Sequence, residues 1–237
     1  VRANRTIANA RATDEETADY WTGTNQTRET GAIEYEPNYY EFRNAPDIVY
    51  DNTVLFNRFT DSSLVVSGQQ LIDGTELTLV ALDGSYDKGS SRTESVDIEA
   101  VSASRTDVGI TNETGENVLV TFSSQRSASE WESLLREDGQ FVGQGGYVVD
   151  VRPAPNDTSF DRVTLELQQD HTYTLRMAKV GIGTGVNDEG PAYLTDIRGY
   201  GTSVPVGGTT QLTVEVRDAY NNPKSDEPVI AGTQNDD

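Results

Sequence analysis

The chain has 237 residues, 39 acidic against 18 basic side chains for a net charge of −21, and no cysteine. Its length suits one large domain or two small ones, its charge excludes nucleic-acid binding, which needs a basic footprint, and the missing cysteines exclude disulfides and thiolate chemistry. No run of 18 or more apolar residues occurs, so no segment reads as a spanning helix.

Residues 1–28 are rich in Ala, Thr, Asn and charge, with little periodicity, and read as a tail or a short packed segment. Thr13-Asp14-Glu15-Glu16 is a start signal for a short helix running towards Tyr20-Trp21, with acids in its first turn. Residues 31–59 form an aromatic block containing Tyr35, Tyr39, Tyr40, Phe42, Tyr50, Phe56 and Phe59. Such a block serves packing, because each ring buries a large area while a hydroxyl stays wet. Tyr35, Tyr39 and Tyr40 are also its candidate ligand contacts. Residues 48–56 read as one extended segment.

Residues 64–68 and 70–82 are strand candidates, the second carrying a hairpin turn at Asp73-Gly74. A Gly/Ser loop spans 83–93. Residues 96–101, 108–110 and 118–122 are further strands. The sequence then gives one well-marked helix: Ser127-Ala128-Ser129-Glu130 is a capping box, Trp131, Leu134 and Leu135 form an apolar stripe, and Gly139 terminates it. A helix this short is marginal alone, so Trp131 is expected to dock on a sheet. Residues 147–151, 163–167 and 172–180 read as an antiparallel meander. Strands dominate, and the fold expected for residues 29–198 is an antiparallel β-sandwich with one short capping helix.

The last stretch contains Val206, Gly207, Gly208, Thr209, Leu212, Thr213, Val214, Val216, Asp218, Asn222 and Pro223. This pattern resembles the opening strands and turn of an invasin-like bacterial Ig-like domain. The resemblance implies that residues 199–237 begin a stalk-like module, with strands around 204–206 and 212–216; the alternative is an ordinary edge hairpin of the preceding domain. A complete Ig-like sandwich uses about 100 residues and seven strands, whereas 39 run from Gly199 to Asp237. The strand edges are therefore expected to pack on the main body or to pair with a neighbouring chain.

The acidic charge has two readings, a basic or cationic partner and a proteome that works in concentrated salt; acid-rich, cysteine-free and with lysine only at Lys88, Lys179 and Lys224, the chain resembles haloarchaeal proteins in composition, which favours the second. In concentrated salt the Debye length falls to about 3 Å, so repulsion between surface carboxylates is screened while their hydration maintains solubility. Segments from Tyr35-Glu36-Pro37-Asn38-Tyr39 through Leu175–Gly185 to Pro191-Ala192-Tyr193 also resemble a family of uncharacterised haloarchaeal surface proteins. Members of that family carry a pilin-like N-terminal membrane segment, a β domain and an Ig-like strand set. The resemblance implies an extracellular, surface-anchored protein. With no initiator Met and no charged leader, the chain is expected to be a processed ectodomain, anchored by an upstream segment outside these residues.

Four sequons place glycosylation candidates at Asn4, Asn25, Asn112 and Asn156. No cofactor is expected; calcium is the one ion that the oxygen-rich turns suit, with Asp83, Asp87 and Asp218 as weak candidate ligands. The lone His171 has no nucleophile marked beside it. Gly181-Ile182-Gly183-Thr184-Gly185 lacks a following helix and reads as a flexible turn or a close backbone crossing rather than a phosphate loop. The function expected is that of a non-catalytic cell-surface or pilus-associated structural or adhesion protein, partnered by other surface proteins or by itself through strand edges. The alternative is a secreted carbohydrate-binding module or glycoside-active enzyme using the tyrosine block and an acidic pair.

Overall fold

Alternating apolar side chains along the middle of the sequence build two large sheets that close on one core. The computed structural model describes residues 3–18, 21, 25–41, 44–103, 106–113, 115–154, 161–199 and 201–232. Among these residues the strands form four sheets. The five-stranded sheet has the order β13 (Val148–Ala154), β14 (Asp161–Leu167), β12 (Val118–Ser124), β1 (Ala3–Ala8), β3 (Gln26–Thr30), all antiparallel. The six-stranded sheet runs β2 (Ala10–Ala12), β11 (Asp107–Asn112), β15 (Thr172–Gly183), β9 (Glu76–Ser85), β8 (Ile72–Asp73), with β10 (Ile98–Ser102) also pairing β15. Val118, Val120, Phe122, Val163, Leu165 and Ile7 from the first sheet share one core with Leu77, Leu79, Ile110, Tyr173 and Leu175 from the second.

A four-stranded sheet, β4 (Ile33–Tyr35), β5 (Asp47–Asp51), β6 (Val54–Arg58) and β7 (Ser63–Ser67), adds Val49, Val54 and Phe56 to that core. The protein is thus mainly β, an antiparallel sandwich with one parallel pairing, β9 with β15.

The helix expected after Ser127 is α2 (Ala128–Glu137), following α1 (Glu15–Ala18) in the chain. Ser127 accepts the Glu130 amide and Glu130 accepts the Ser127 amide at 2.9 Å, a complete capping box. Trp131 is fully buried, edge-on to Phe122 at 5.0 Å between centroids, and its indole N–H donates to Ser124 Oγ at 2.9 Å. Glu130 also accepts from Ser63 of β7, so the cap fixes the four-stranded sheet as well as the helix.

Several expectations need correction. The segment 1–28 is no tail: β1 lies inside the five-stranded sheet between β12 and β3, and β2 edges the six-stranded sheet. Its alternation is disguised because a buried arginine, Arg5, occupies a core-facing position beside Ile7. Asp14 does cap the following turn, accepting from the Thr17 amide at 2.9 Å, and Trp21 is buried with its N–H on Ala10 O. Residues 48–56 are not one extended segment but two strands, joined by a turn in which Asn52 and Thr53 both have positive φ, 46° and 72°. A hairpin turn of this kind usually advertises itself with glycine; here tertiary hydrogen bonds to Asn52 hold it instead. The expected meander also breaks. β13 and β14 pair, but β15 crosses to the other sheet, where it lies between β9 on one side and β11 and β10 on the other.

The C-terminal stretch departs from expectation as well. Residues 204–206 form no strand, and Val206 is fully exposed. β17 (Thr213–Asp218) pairs antiparallel with β16 (Pro191–Arg198), so the expected boundary at 199 falls between two strands of one ribbon. This ribbon and the turn after it dock on the main body. Arg217 pairs with Glu16 of α1 at 2.9 Å, Thr195 donates to Glu16 O, Arg28 of β3 donates to Ala219 O, and Asn222 donates to Ser102 Oγ and Met177 O. The segment packs on the main body, one of the two outcomes its open edges implied.

Two stability predictions follow from this packing. Trp131→Ala removes a fully buried ring and its hydrogen bond and is expected to cost about 3–5 kcal/mol in urea denaturation. Arg5→Met strips the cation from buried Asp51. Burial already raises the Asp51 carboxyl, opposed by bonds from Ser124 and the Gln125 amide and by the Arg5 charge, so its loss raises that carboxyl further. A folded-state value above the unfolded one favours the folded state as pH falls, since the folded state takes the proton first. The Arg5→Met deficit is therefore expected to be largest near pH 7 and to shrink on acidification, measured as urea midpoints of both proteins across that range.

Candidate functional site

Asp83 divides two adjoining clefts at the C-terminal end of β9. One is charged, about 300 Å³, and lies among Arg28, Asp83, Lys179, Glu189 and Tyr220. The other is apolar, about 340 Å³, and runs between residues 31–35 and residues 82–86, with Ile98 and Ile182 in its wall and floor.

The charged cleft is a closed ion-pair set. Lys179 projects from β15 with its side chain 7 % exposed, 2.9 Å from Asp83 and 2.6 Å from Glu189, and also donates to Asn187 O at 2.7 Å. Burial pushes the Asp83 carboxyl up, but hydrogen bonds from Lys179 and from the Asn187 and Gly84 amides outweigh it and hold the group far below the usual carboxylate range. Burial likewise opposes the Lys179 charge, and the two carboxylates overcome it, raising the ammonium. Such a carboxylate cannot act as a general acid, which needs a pKa near working pH. Arg28 stands over the Tyr220 ring at 5.8 Å, and burial lowers its pKa against the opposing Tyr220, Glu189 and Asp218.

In the apolar cleft Tyr35 and Tyr86 stand 51 % and 42 % exposed, with Ile33, Val96 and Ile98 also open to solvent and Ile182 buried beneath. Glu34 also borders this cleft, and its carboxylate is tied to Arg58. Backbone crowding shapes the floor. Gly84 has φ +101°, and a Cβ there would lie 2.3 Å from Ile182 O; at Gly183, φ +72°, it would lie 2.5 Å from Ser85 O. Gly84 and Gly183 thus mark a close approach of β15 to β9 that only glycine permits, whereas a Cβ at Gly185 would meet nothing within 4 Å.

The residues singled out in the sequence fall as follows. Tyr35 lines the apolar cleft, the Tyr39 hydroxyl hydrogen-bonds Tyr35 and raises it, and Tyr40 stands 92 % exposed outside the cleft lining. Asp83, Asp87 and Asp218 do not assemble as cation ligands. Asp83 is bound to an ammonium, Asp87 is exposed, and Asp218 is 1 % exposed with its Oδ1 accepting the Tyr220 and Asn222 amides. Among the described residues no group of three or more His, Asp or Glu could hold a metal ion. Asn4 and Asn25 are exposed. Asn112 is buried to 7 %, its amide nitrogen donating to Glu113 O and its oxygen accepting the Asp170 amide, so that side chain is committed to the fold rather than to a glycan. Asn156, like Tyr20 and Phe42, lies outside the described residues. His171 sits edge-on to Tyr147 at 4.8 Å.

Lys179, Glu189, Tyr86 and Ile98 were missed by sequence reasoning. Only Lys179 left a signal: it is one of three lysines and falls inside an apolar strand. The chain was compared with family models, curated proteins and solved structures, and none matches.

Lys179→Met is expected to destabilise by about 3 kcal/mol at pH 7, the cost of breaking a buried pair. The depressed Asp83 contributes stability above its unfolded value near 4 and loses it as pH falls through the folded value. Urea midpoints of wild type and variant should therefore converge on acidification below about pH 4.

Proposed function

We propose that this chain is a non-catalytic structural or adhesion protein displayed on the surface of a halophilic archaeon, as a β head continuing into an Ig-like stalk. One observation carries the reading: the ionisable groups that the fold perturbs most are bonded between structural elements. Arg5 and Asp51 join three sheets, Asp83 and Lys179 join β9 to β15, and Arg217 joins the C-terminal ribbon to α1. An active site arranges perturbed groups around a place where substrate can sit; these groups face one another.

The acidic surface supports the salt-adapted setting. Arg5, Arg126, Lys179 and Arg217 are each at most 6 % exposed, so four of the 18 basic residues present little positive charge directly to solvent. The C-terminal ribbon supports the stalk. One face, with Tyr193, Thr195 and Arg217, turns inward, while Leu194 and Val214 on the other are 47 % and 42 % exposed. A second sheet would cover that face in a complete Ig-like sandwich.

The runner-up, a sugar-binding or glycoside-active protein, draws on the tyrosine wall of the apolar cleft. It ranks second because the carboxylates bordering that cleft, Glu34 and Asp83, are each neutralised by a cation.

An antibody raised against the purified chain should label intact cells of the source organism as strongly as lysed ones; labelling that appears only after lysis would overturn the surface assignment. Melts followed by circular dichroism should show a midpoint that keeps rising in KCl beyond about 0.5 M, where exposed charges are already well screened. A flat or falling midpoint would remove the salt-adapted reading.

A further inference from the structure

The apolar cleft is bordered by strand backbone as well as by side chains. Five consecutive residues, 31–35, line one wall, and three consecutive residues, 82–84, line the other. In a strand successive side chains alternate faces, so an unbroken run along a wall means that the strand's edge itself faces the cleft. Neither edge has a strand partner there among the described residues, although on β9 the Gly84 amide is taken by the Asp83 carboxylate. β4 is the terminal strand of its sheet, bonded on one side to β5. β9 is paired with β8 only at residues 76 and 77, which leaves the corresponding edge of 82–84 free of a strand partner among the described residues. The two walls meet at one end, where the Leu82 amide donates to the Thr30 hydroxyl at 3.2 Å. From there the cleft opens towards Tyr35 and Tyr86. It is a gap in the β structure, walled by two strand edges and floored by Ile182.

The charge around this gap is mainly negative, with Arg92 an exposed cation on the segment between Tyr86 and Val96. Glu34, Asp83 and Glu94 are paired with Arg58, Lys179 and Lys88. Glu36, Asp87 and Asp97 are exposed on the segments that form the walls, and no ion pair among the described residues involves them; Glu99 alternates with Ile98 on β10 and packs over Gly181, away from the gap. Carboxylates grouped around a low-dielectric cleft focus a negative potential that raises the local concentration of cations.

We propose that the cleft between β4 and the end of β9 binds an extended, cationic peptide segment, which adds as a strand to the open edge of β4. Main-chain hydrogen bonds to β4 hold the segment, and its alternate apolar side chains enter the gap against Tyr35, Tyr86 and Ile98. Its lysines or arginines, on the opposite alternation, face the unpaired carboxylates. Backbone pairing supplies affinity and the pockets for alternate side chains supply selectivity. A sugar would use the tyrosine faces and leave the open edge of β4 unanswered. The inference rests on the adhesion reading, to which it adds the partner's chemistry.

The probe is a dye-labelled, capped peptide alternating valine and lysine, titrated by fluorescence anisotropy in about 0.5 M KCl to suppress non-specific attraction. Saturable binding is expected. The valine–glutamate counterpart, and a valine–lysine peptide N-methylated at alternate amides, should bind at least about tenfold more weakly. Tyr86→Ala and Ile98→Asp, both at exposed positions, should weaken binding by a similar factor with unchanged circular dichroism melts. Leu64→Asp, on the distant edge strand β7, should leave it unchanged. Absence of saturable binding, equal binding of the N-methylated peptide, or indifference to Tyr86→Ala and Ile98→Asp would each overturn the proposal. Displacement of the probe by a neutral oligosaccharide, with direct saturable binding of that sugar, would overturn it in favour of sugar binding. None of these failures touches labelling of intact cells, so the surface reading stands or falls separately.

Discussion

A single buried polar chain holds the sheets in register. Arg5 on β1 donates to Val80 O on β9 at 3.2 Å and to Asn52 Oδ1 at 2.6 Å; Asn52 donates to Asp51 Oδ1 and to Ser123 O. Asp51 accepts from the Ser124 hydroxyl at 2.7 Å and from the Gln125 amide, and Ser124 accepts from the Trp131 indole. Five side chains and three backbone groups thus tie both large sheets, the four-stranded sheet and α2 into one network. Burial drags the Arg5 guanidinium down to about 10, opposed chiefly by Asp51. Apolar burial is non-directional and would tolerate sliding. A half-satisfied buried network costs more than an apolar core, so any register that broke this chain would leave Asp51 or Arg5 stranded. Hydrophobic area drives the sheets together, and the polar chain selects how they meet.

That division explains which parts of the fold were legible. Strands whose inward positions are apolar, such as 118–124 with Val118, Val120 and Phe122, could be read directly, as could α2 from its capping box and Trp131 stripe. β1 was hidden because Arg5 takes an inward position, and the 51–54 turn was hidden because Asn52 and Thr53 adopt positive φ without glycine. Both misses are members of the polar chain or adjoin it. Local pattern cannot report a residue whose conformation is fixed by partners 47 and 71 positions away. The transfer of β15 to the other sheet belongs to the same class, since its parallel partner β9 lies far back in the sequence.

The candidate site was legible in halves. Tyr35 stood out from the aromatic block. Tyr86, set in a Gly/Ser loop, and Ile98, on a short edge strand, did not, because what makes them a wall is the gap that β4 and β9 leave between them. Asp83 was visible as an acid in an oxygen-rich loop, which by itself favours a hard cation. Lys179, arriving from a strand nearly a hundred residues later, supplies the positive charge instead. Composition deepens the point. In a chain of net charge −21 cations are scarce, and those placed inside serve particular carboxylates and carbonyls rather than the surface.

The C-terminal ribbon joins these strands of argument. The turn after it, 218–222, resembles a solvated loop in sequence, yet Asp218, Asn221 and Asn222 are at most 2 % exposed. Asp218 gathers the turn's own amides, Arg28 and Asn222 lock the turn to β3 and β15, and Arg217 reaches Glu16. A module hung on a flexible linker would have no use for bonds to three separate elements of the head. Their effect is to set the direction in which the ribbon leaves the sandwich, with its apolar outer face turned away. Under the surface display proposed above, a stiff root would matter more than a long one, because a rotating joint would randomise the direction the cleft faces.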